Sequence, residues 1–373
     1  YMTNKKIFIL LAFIFIIFNP VLSQNNINKY GNIYFATPFL TINPDARSGA
    51  MGNANIASDP DINDVFNNFS KVNRLEDVRN ISFNYTPYFQ SLGYNDIYLT
   101  NIGYAQKINN NSSWIVGLRF FSYGSIHITD ITGVERSVFN PNDLSLDAGY
   151  AISISNSLDL GVSFRFINSS LYKGDVLNSG VVYKDGNTLA ANISLFYQQD
   201  RINNAGFKAG LYIANLGGKI GYTNNVNDRD FIPATLGLGV AYKYKIDEDN
   251  AIDINTDIVK LLVPATPVNT SDAVALAAYR NTDVLSSYSQ SFGGSTNINQ
   301  TIKYNFGASY TYRDFLSIKA GYVNQYEGNF YTTGLGLKYN NINLHFAYAT
   351  NYNSNFNRSP LANTLRFGVG FGF

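Results

Sequence analysis

The chain has 373 residues, with 27 basic and 26 acidic side chains and no cysteine. So even a balance gives no electrostatic handle for nucleic acid, and the missing thiols exclude disulfides, a lipid-modified cysteine and thiolate metal sites. Twenty-eight Tyr and 27 Phe stand against a single Trp, an aromatic load that suits the interfacial girdles of a membrane barrel.

At the N-terminus, Lys5-Lys6 precede an apolar run from Ile7 to Phe18, and Asn19-Pro20 leads into Val21-Leu22-Ser23-Gln24. This is the layout of a secretory signal peptide, because the run is shorter than the ~20 residues a spanning helix needs. Residues 1–23 are expected to be the leader, with cleavage after Ser23. No later run approaches spanning length. A membrane form of this chain therefore has to be a closed barrel, since lipid leaves an open sheet edge unsatisfied.

Residues 24–79 are rich in small side chains and lack strand alternation, most clearly at Pro44-Asp45-Ala46-Arg47-Ser48-Gly49-Ala50-Met51-Gly52-Asn53-Ala54. Glycine permits tight turns and close backbone approach, and a wide barrel cannot fill itself with wall side chains alone. The segment is expected to be a plug. Asp45 and Arg47 are expected to cap a turn and pair with the barrel wall, while Gly49, Met51 and Gly52 pack and Pro44 opens the motif. The acidic run Asp59-Pro60-Asp61-Ile62-Asn63-Asp64 lacks the spacing and glycine of an EF-hand loop. It is read as a solvated turn, as is Asp247-Glu248-Asp249.

Residues 80–373 have a period of two. In Leu158 to Phe166, Ala251 to Val259 and Ile342 to Tyr348, apolar residues fill one face and polar ones the other. About fourteen such segments follow one another, the first near Asn80 to Tyr88 and the last Thr364 to Phe373. Each has about the 9–11 residues of a tilted spanning strand. Short connections such as Ser155 to Ser157, Arg313-Asp314 and Asn340-Asn341 alternate with long ones such as Gly124 to Asp143, Leu216 to Pro233 and Lys260 to Ile298. Outer-membrane barrels alternate in this way, with the short turns in the periplasm, and an even strand count puts both chain ends there. The expected architecture is all-β: a transmembrane antiparallel barrel with an N-terminal plug. Its inward face carries Arg119, Asp147, Asp159, Arg165, Lys208, Asp253, Asp257, Lys303, Lys319 and Lys338.

Two long loops invite a partner. Thr270-Ser271-Asp272 can cap a helix over Ala273 to Arg280. There Val274, Leu276, Ala277, Tyr279 and Arg280 either hold a partner or fold over the barrel's own mouth. Ile126, Ile128, Ile131 and Val134 suit a hairpin extended above the membrane. Catalysis has no obvious residues: the only histidines are His127, in a loop, and His345, on the wall beside Asn343. Neither has a serine in a nucleophile setting, and no metal ligand set or cofactor is read from the chain.

Thr37-Pro38-Phe39-Leu40-Thr41-Ile42, the Pro44 to Asp61 segment after it, and Ile81-Ser82-Phe83-Asn84-Tyr85-Thr86-Pro87-Tyr88 resemble the PorV (LptO) family of the type IX secretion system, within the FadL-like group of fourteen-stranded barrels. The chain departs from the family at Val65-Phe66-Asn67-Asn68-Phe69-Ser70-Lys71, where an aromatic residue followed by Asn-Pro-Ala-Lys is usual. Leu365 to Phe373 resembles the C-terminal signal of barrel assembly. The resemblance implies a non-enzymatic shuttle in a Bacteroidetes-type outer membrane. It would take cargo by a C-terminal domain from the giant translocon barrel to a surface complex containing a sortase-like transpeptidase. The alternative is FadL-like transport of hydrophobic small molecules.

Overall fold

The computed structural model describes residues 33–129, 132–174, 180–200, 204–269, 271–293, 298–326, 328–351 and 363–373. The expected leader, its cleavage point and Ile131 lie outside them. The period of two becomes a closed wall of fourteen antiparallel strands. They are β1 Arg79–Pro87, β2 Ile97–Asn109, β3 Ser112–Tyr123, β4 Asn142–Ser153, β5 Leu158–Ser170, β6 Gly186–Asp200 and β7 Ala205–Gly217. The second half comprises β8 Thr235–Lys245, β9 Asn250–Leu261, β10 Ile302–Tyr312, β11 Leu316–Asn324, β12 Phe330–Tyr339, β13 Ile342–Asn351 and β14 Thr364–Gly372.

Every strand pairs with its sequence neighbours, and β14 returns to β1 from Asn80↔Gly372 to Tyr85↔Phe367. Past that ladder, Arg79 N–H donates to the Phe373 carbonyl at 2.9 Å and Phe373 N–H to Arg79 at 2.8 Å. The wall therefore has no open edge, which is the condition for lying in lipid. On β5, Asp159, Ser163 and Arg165 point inward and are buried, while Val162, Phe164 and Phe166 point outward and are exposed. Outward Tyr244, Tyr310, Tyr312, Tyr339, Phe371 and Phe373 ring the short-turn end, where an aromatic girdle meets the lipid interface. Among the short turns, Arg313 and Asp314 both have positive φ within the three-residue connection that follows Tyr312 and precedes Leu316.

The segment before β1 runs down the lumen. Ile33 and Phe35 lie among the long connections, where Ala36 N–H bonds the Phe231 carbonyl at 2.8 Å. A 3₁₀ turn at Pro38–Thr41 sets Phe39 and Leu40 in a cluster with Tyr88, Leu99, Phe121 and Ile232. Next come α1, Ala46–Gly49, and two further 3₁₀ turns, Ile62–Phe66 and Phe69–Arg74. Arg74 reaches Asp159 at the short-turn end just before β1 begins. The plug thus spans the barrel from one mouth to the other.

Candidate functional site

Three features could carry function: the plug in the lumen, the cavities around it and the long-loop face.

The plug and wall fit backbone to backbone. A Cβ added at inward Gly210 would collide with the Ile56 carbonyl, at Gly307 with that of Met51, and at Gly321 with the Gly52 backbone. Gly117 and Gly161 make room for the rings of Phe66 and Phe69 in the same way. Gly52 itself has φ +62°, which favours glycine. Polar locks add to this fit. Asp257 accepts the amides of Asn55 at 2.7 Å and Ile56 at 3.1 Å. Asp59 takes both Lys208 and Lys243, and Arg366 donates to Asn53 Oδ1 at 3.1 Å.

The expected wall anchors need correction. Asp45 does cap its turn, accepting Ser48 N–H at 2.7 Å, but Arg47 lies 3.9 Å from Asp61, within the plug. A charge on the second residue of a tight turn is held by the plug's own fold; the wall is reached instead by Asp59 and Arg74. Nor is the Asp59 to Asp64 run solvated. Asp61 and Asp64 form a reciprocal capping box and are 8% and 2% exposed. Lys71, fully buried, binds Asp64 at 2.7 Å and donates to the Asn55 carbonyl at 2.7 Å and Ser58 Oγ at 3.1 Å. Lys71 is therefore the strut joining the plug's two halves. Burial pushes the Asp64 carboxyl up to about 7 even with Lys71 beside it. Burial also opposes charge on Asp61, but His345, Arg47 and the Asn63 N–H together hold it below the usual carboxylate range.

Polar residues line much of the remaining lumen. Arg165 binds Asp147 at 2.7 Å, and His345 Nε2 stands 3.8 Å from Asp61. His127 pairs with Glu135 at 2.8 Å in an exposed hairpin. No group of three acidic or histidine side chains able to hold a metal occurs among the described residues. Two cavities flank the plug. One, about 540 Å³, lies at the short-turn end among mixed charges including Asp59, Asp61, Lys243 and Lys319. The other, about 320 Å³, lies on the long-loop side between the plug and β3, β5, β7 and β9.

The long-loop face is built on the capped helix. Asp272 accepts Val274 and Ala275 N–H, each at 3.0 Å, to start α2, Ala273–Asn281. Asp283 likewise caps α3, Val284–Gln290. One side of α2 folds over the barrel mouth. Tyr279 sets its ring edge-on to Phe231 at 5.3 Å, and Leu276 joins it over Ile33 and Phe35. Arg280 binds Asp228 and Asp230, each at 3.1 Å. The other side is open: Val274 is 81% exposed, Ala277 is exposed, and Leu285 and Phe292 of the same lobe are 75% and 61% exposed. The five loop candidates thus divide into three that build the lobe and two that face out; Leu285 and Phe292 lack the period that would have marked them in sequence. A second projection is the two-stranded ladder of residues 126–129 and 135–139, which continues the β3–β4 hairpin with Ile126 and Val138 exposed.

The family model described as type IX secretion system protein PorV matches residues 24–269. No curated protein matches the chain. Among solved structures it is similar to the toluene transporter TodX of Pseudomonas putida, with TM-score 0.50 and 12% identity over 88% of this chain and 96% of that one. It is similar to the CymD monoaromatic hydrocarbon channel as well, with TM-score 0.51 and 9% identity over 91% and 99%. A Pseudomonas aeruginosa FadL homologue has TM-score 0.47 and 8% identity over 92% and 100%. At such identities the likeness concerns the fold alone. The family match spans more than half of the chain and includes the whole plug, so the chain belongs to the PorV family of the type IX secretion system and is an outer-membrane β-barrel.

Proposed function

We propose that this barrel is a non-enzymatic carrier of the type IX system, working through its long-loop face and not through its lumen. In this reading it takes cargo C-terminal domains from the giant translocon barrel and passes them to the sortase-like attachment complex. The long-loop face is extracellular, the short turns and the C-terminus are periplasmic, and lipid surrounds the wall. Val274, Ala277, Leu285 and Phe292 meet the partner; Leu276, Tyr279 and Arg280 hold the lobe in place. The observation that carries the reading is the backbone-to-backbone fit of plug and wall, which favours a sealed lumen and leaves apolar surface at the outer lobe for use.

The test is affinity capture from native membranes in mild detergent, followed by mass spectrometry. Recovery with a very large barrel or with secreted proteins sharing a C-terminal domain is the expected result. Recovery alone, with a hydrocarbon bound, would overturn it.

Uptake of hydrophobic small molecules is the second reading, favoured by the apolar part of the 320 Å³ cavity. A cross-link separates the two. A Cβ at Gly368 lies 3.3 Å from the Ala46 Cβ, close to the ~3.5–4.5 Å of a disulfide, but also strikes Asn84 Oδ1, so Asn84 is shortened to Ala; the chain has no other cysteine. The Ala46→Cys/Asn84→Ala/Gly368→Cys variant ties plug to wall. Secretion is expected to continue at the unlinked rate when it is oxidised; a block relieved by reductant would show that the plug must move.

A further inference from the structure

Gly336 on β12 is flanked in register by Ser317 of β11 and His345 of β13, and Lys319 is the next inward residue of β11. The absent side chain leaves one spot on which three polar ends converge. A Cβ there would stand 2.5 Å from Lys319 Nζ, 3.0 Å from His345 Nδ1 and against Ser317 Oγ. Lys319 and His345 are 5% and 8% exposed. The Lys319 ammonium donates to Ser317 Oγ, and no carboxylate among the described residues stands within ion-pair distance of it. Neither ring nitrogen of His345 has a hydrogen-bond partner.

The carboxylate these groups share is Asp61, and it is already committed. Its Oδ1 accepts the backbone and side-chain amides of Asn63 at 2.9 and 2.7 Å, while its Oδ2 stands 3.9 Å from Arg47 and 3.8 Å from His345 Nε2, outside hydrogen-bond reach of both. Two cations and an imidazole therefore lean on one negative charge. Taking a cation out of water without a partner is costly, so the arrangement is short of an anion. There is room for one, because Ser317, Lys319, Gly336, Asn343 and His345 all line the 540 Å³ cavity at the short-turn end. The donors come from two strands and lie around a point instead of in one plane. That suits the three terminal oxygens of a phosphate better than the two of a carboxylate, and hydrogen bonds to a charged acceptor are the stronger kind.

We propose that this corner of the lumen is a binding site for a phosphate group, held by Lys319, His345 and Ser317 over Gly336. The phosphate supplies the charge that Lys319 lacks. The site lies at the opposite end of the lumen from the long-loop face and does not depend on the carrier reading: its assay needs no secretion partner, and affinity capture needs no phosphate.

The experiment is calorimetric titration of the purified full chain, in a non-ionic detergent and phosphate-free buffer, with inorganic phosphate, glycerol 3-phosphate and acetate. Saturable binding of at least one phosphate is expected, with acetate weaker by about tenfold or more. Lys319→Gln is expected to weaken phosphate binding by about tenfold, as for loss of a charge-assisted hydrogen bond. Should that variant fail to fold, Gly336→Ala keeps both nitrogens and places a methyl where they converge; it displaces only the flexible end of Lys319 and is expected to lower the affinity as well. Repeating the titration in phosphatidylethanolamine nanodiscs separates the sources: undiminished affinity assigns a soluble phosphate, and its loss assigns the headgroup of a lipid. Absence of saturable binding in detergent would overturn the proposal, as would acetate binding as tightly as phosphate, or phosphate affinity unchanged in folded Lys319→Gln or Gly336→Ala.

Discussion

Lys71 carries the plug's internal connection on one ammonium group. Its removal by Lys71→Met leaves Asp64 and two backbone carbonyls facing a methyl, and losing one partner of a buried pair costs about 3–5 kcal/mol. The folded band in a heated gel is expected to disappear at markedly lower temperature. Asp64 also sets a pH dependence. Its carboxyl is raised to about 7 in the fold against about 3.9 in an unfolded chain, so folding takes up a proton between those values. Its contribution is complete below about 4 and is lost as pH rises through 7. Asp61, held low, acts with the opposite sign: it favours the fold above the unfolded value and loses that as pH falls through its own. Asp64→Asn is expected to flatten the decline in stability between about pH 4 and 7. From the sequence, Lys71 stands out only as the end of a segment that departs from the family pattern; that it lies fully buried depends on contacts 13 to 16 residues away, which no local pattern records.

At the scale of elements, strands were the most legible part. Alternation placed every wall strand to within a few residues, because lipid on one side and a polar lumen on the other impose the same period throughout. The plug was legible as a plug but not in its contacts. Small residues announce close approach without saying to what, and so Arg47 was assigned to the wall while Arg74, outside the motif, makes that bond. The α2–α3 lobe was half legible. Its cap at Asp272 could be read, yet whether an apolar loop helix faces inward or outward depends on Phe231 and Ile33, both remote in sequence. Val274→Glu/Leu285→Glu alters only exposed side chains. It is expected to leave thermal stability within about 0.5 kcal/mol while reducing partner recovery in affinity capture. Tyr279→Ala removes a buried ring worth roughly 3–5 kcal/mol and is expected to expose the lobe to protease before any effect on partners can be separated.

At the scale of the whole molecule, closure depends on the seam between the first and last strands. Phe373 contributes two backbone bonds to Arg79, a ring 5.5 Å from Phe371 and a cation–π contact at 6.0 Å with Arg79. Its deletion is expected to abolish the heat-modifiable folded band in membranes, with the chain accumulating unfolded; normal folding would show that the ladder from Asn80 to Tyr85 closes the wall unaided. The inward glycines bear on the same seam. With plug and wall backbones in contact at these glycines, and with the α2 lobe roofing the far mouth, a finished cylinder could not be filled afterwards. The early part of the chain must already occupy the centre when β14 meets β1, so the sheet is wrapped around it as around a mandrel. Each glycine on the inner surface then records the order in which the protein is made.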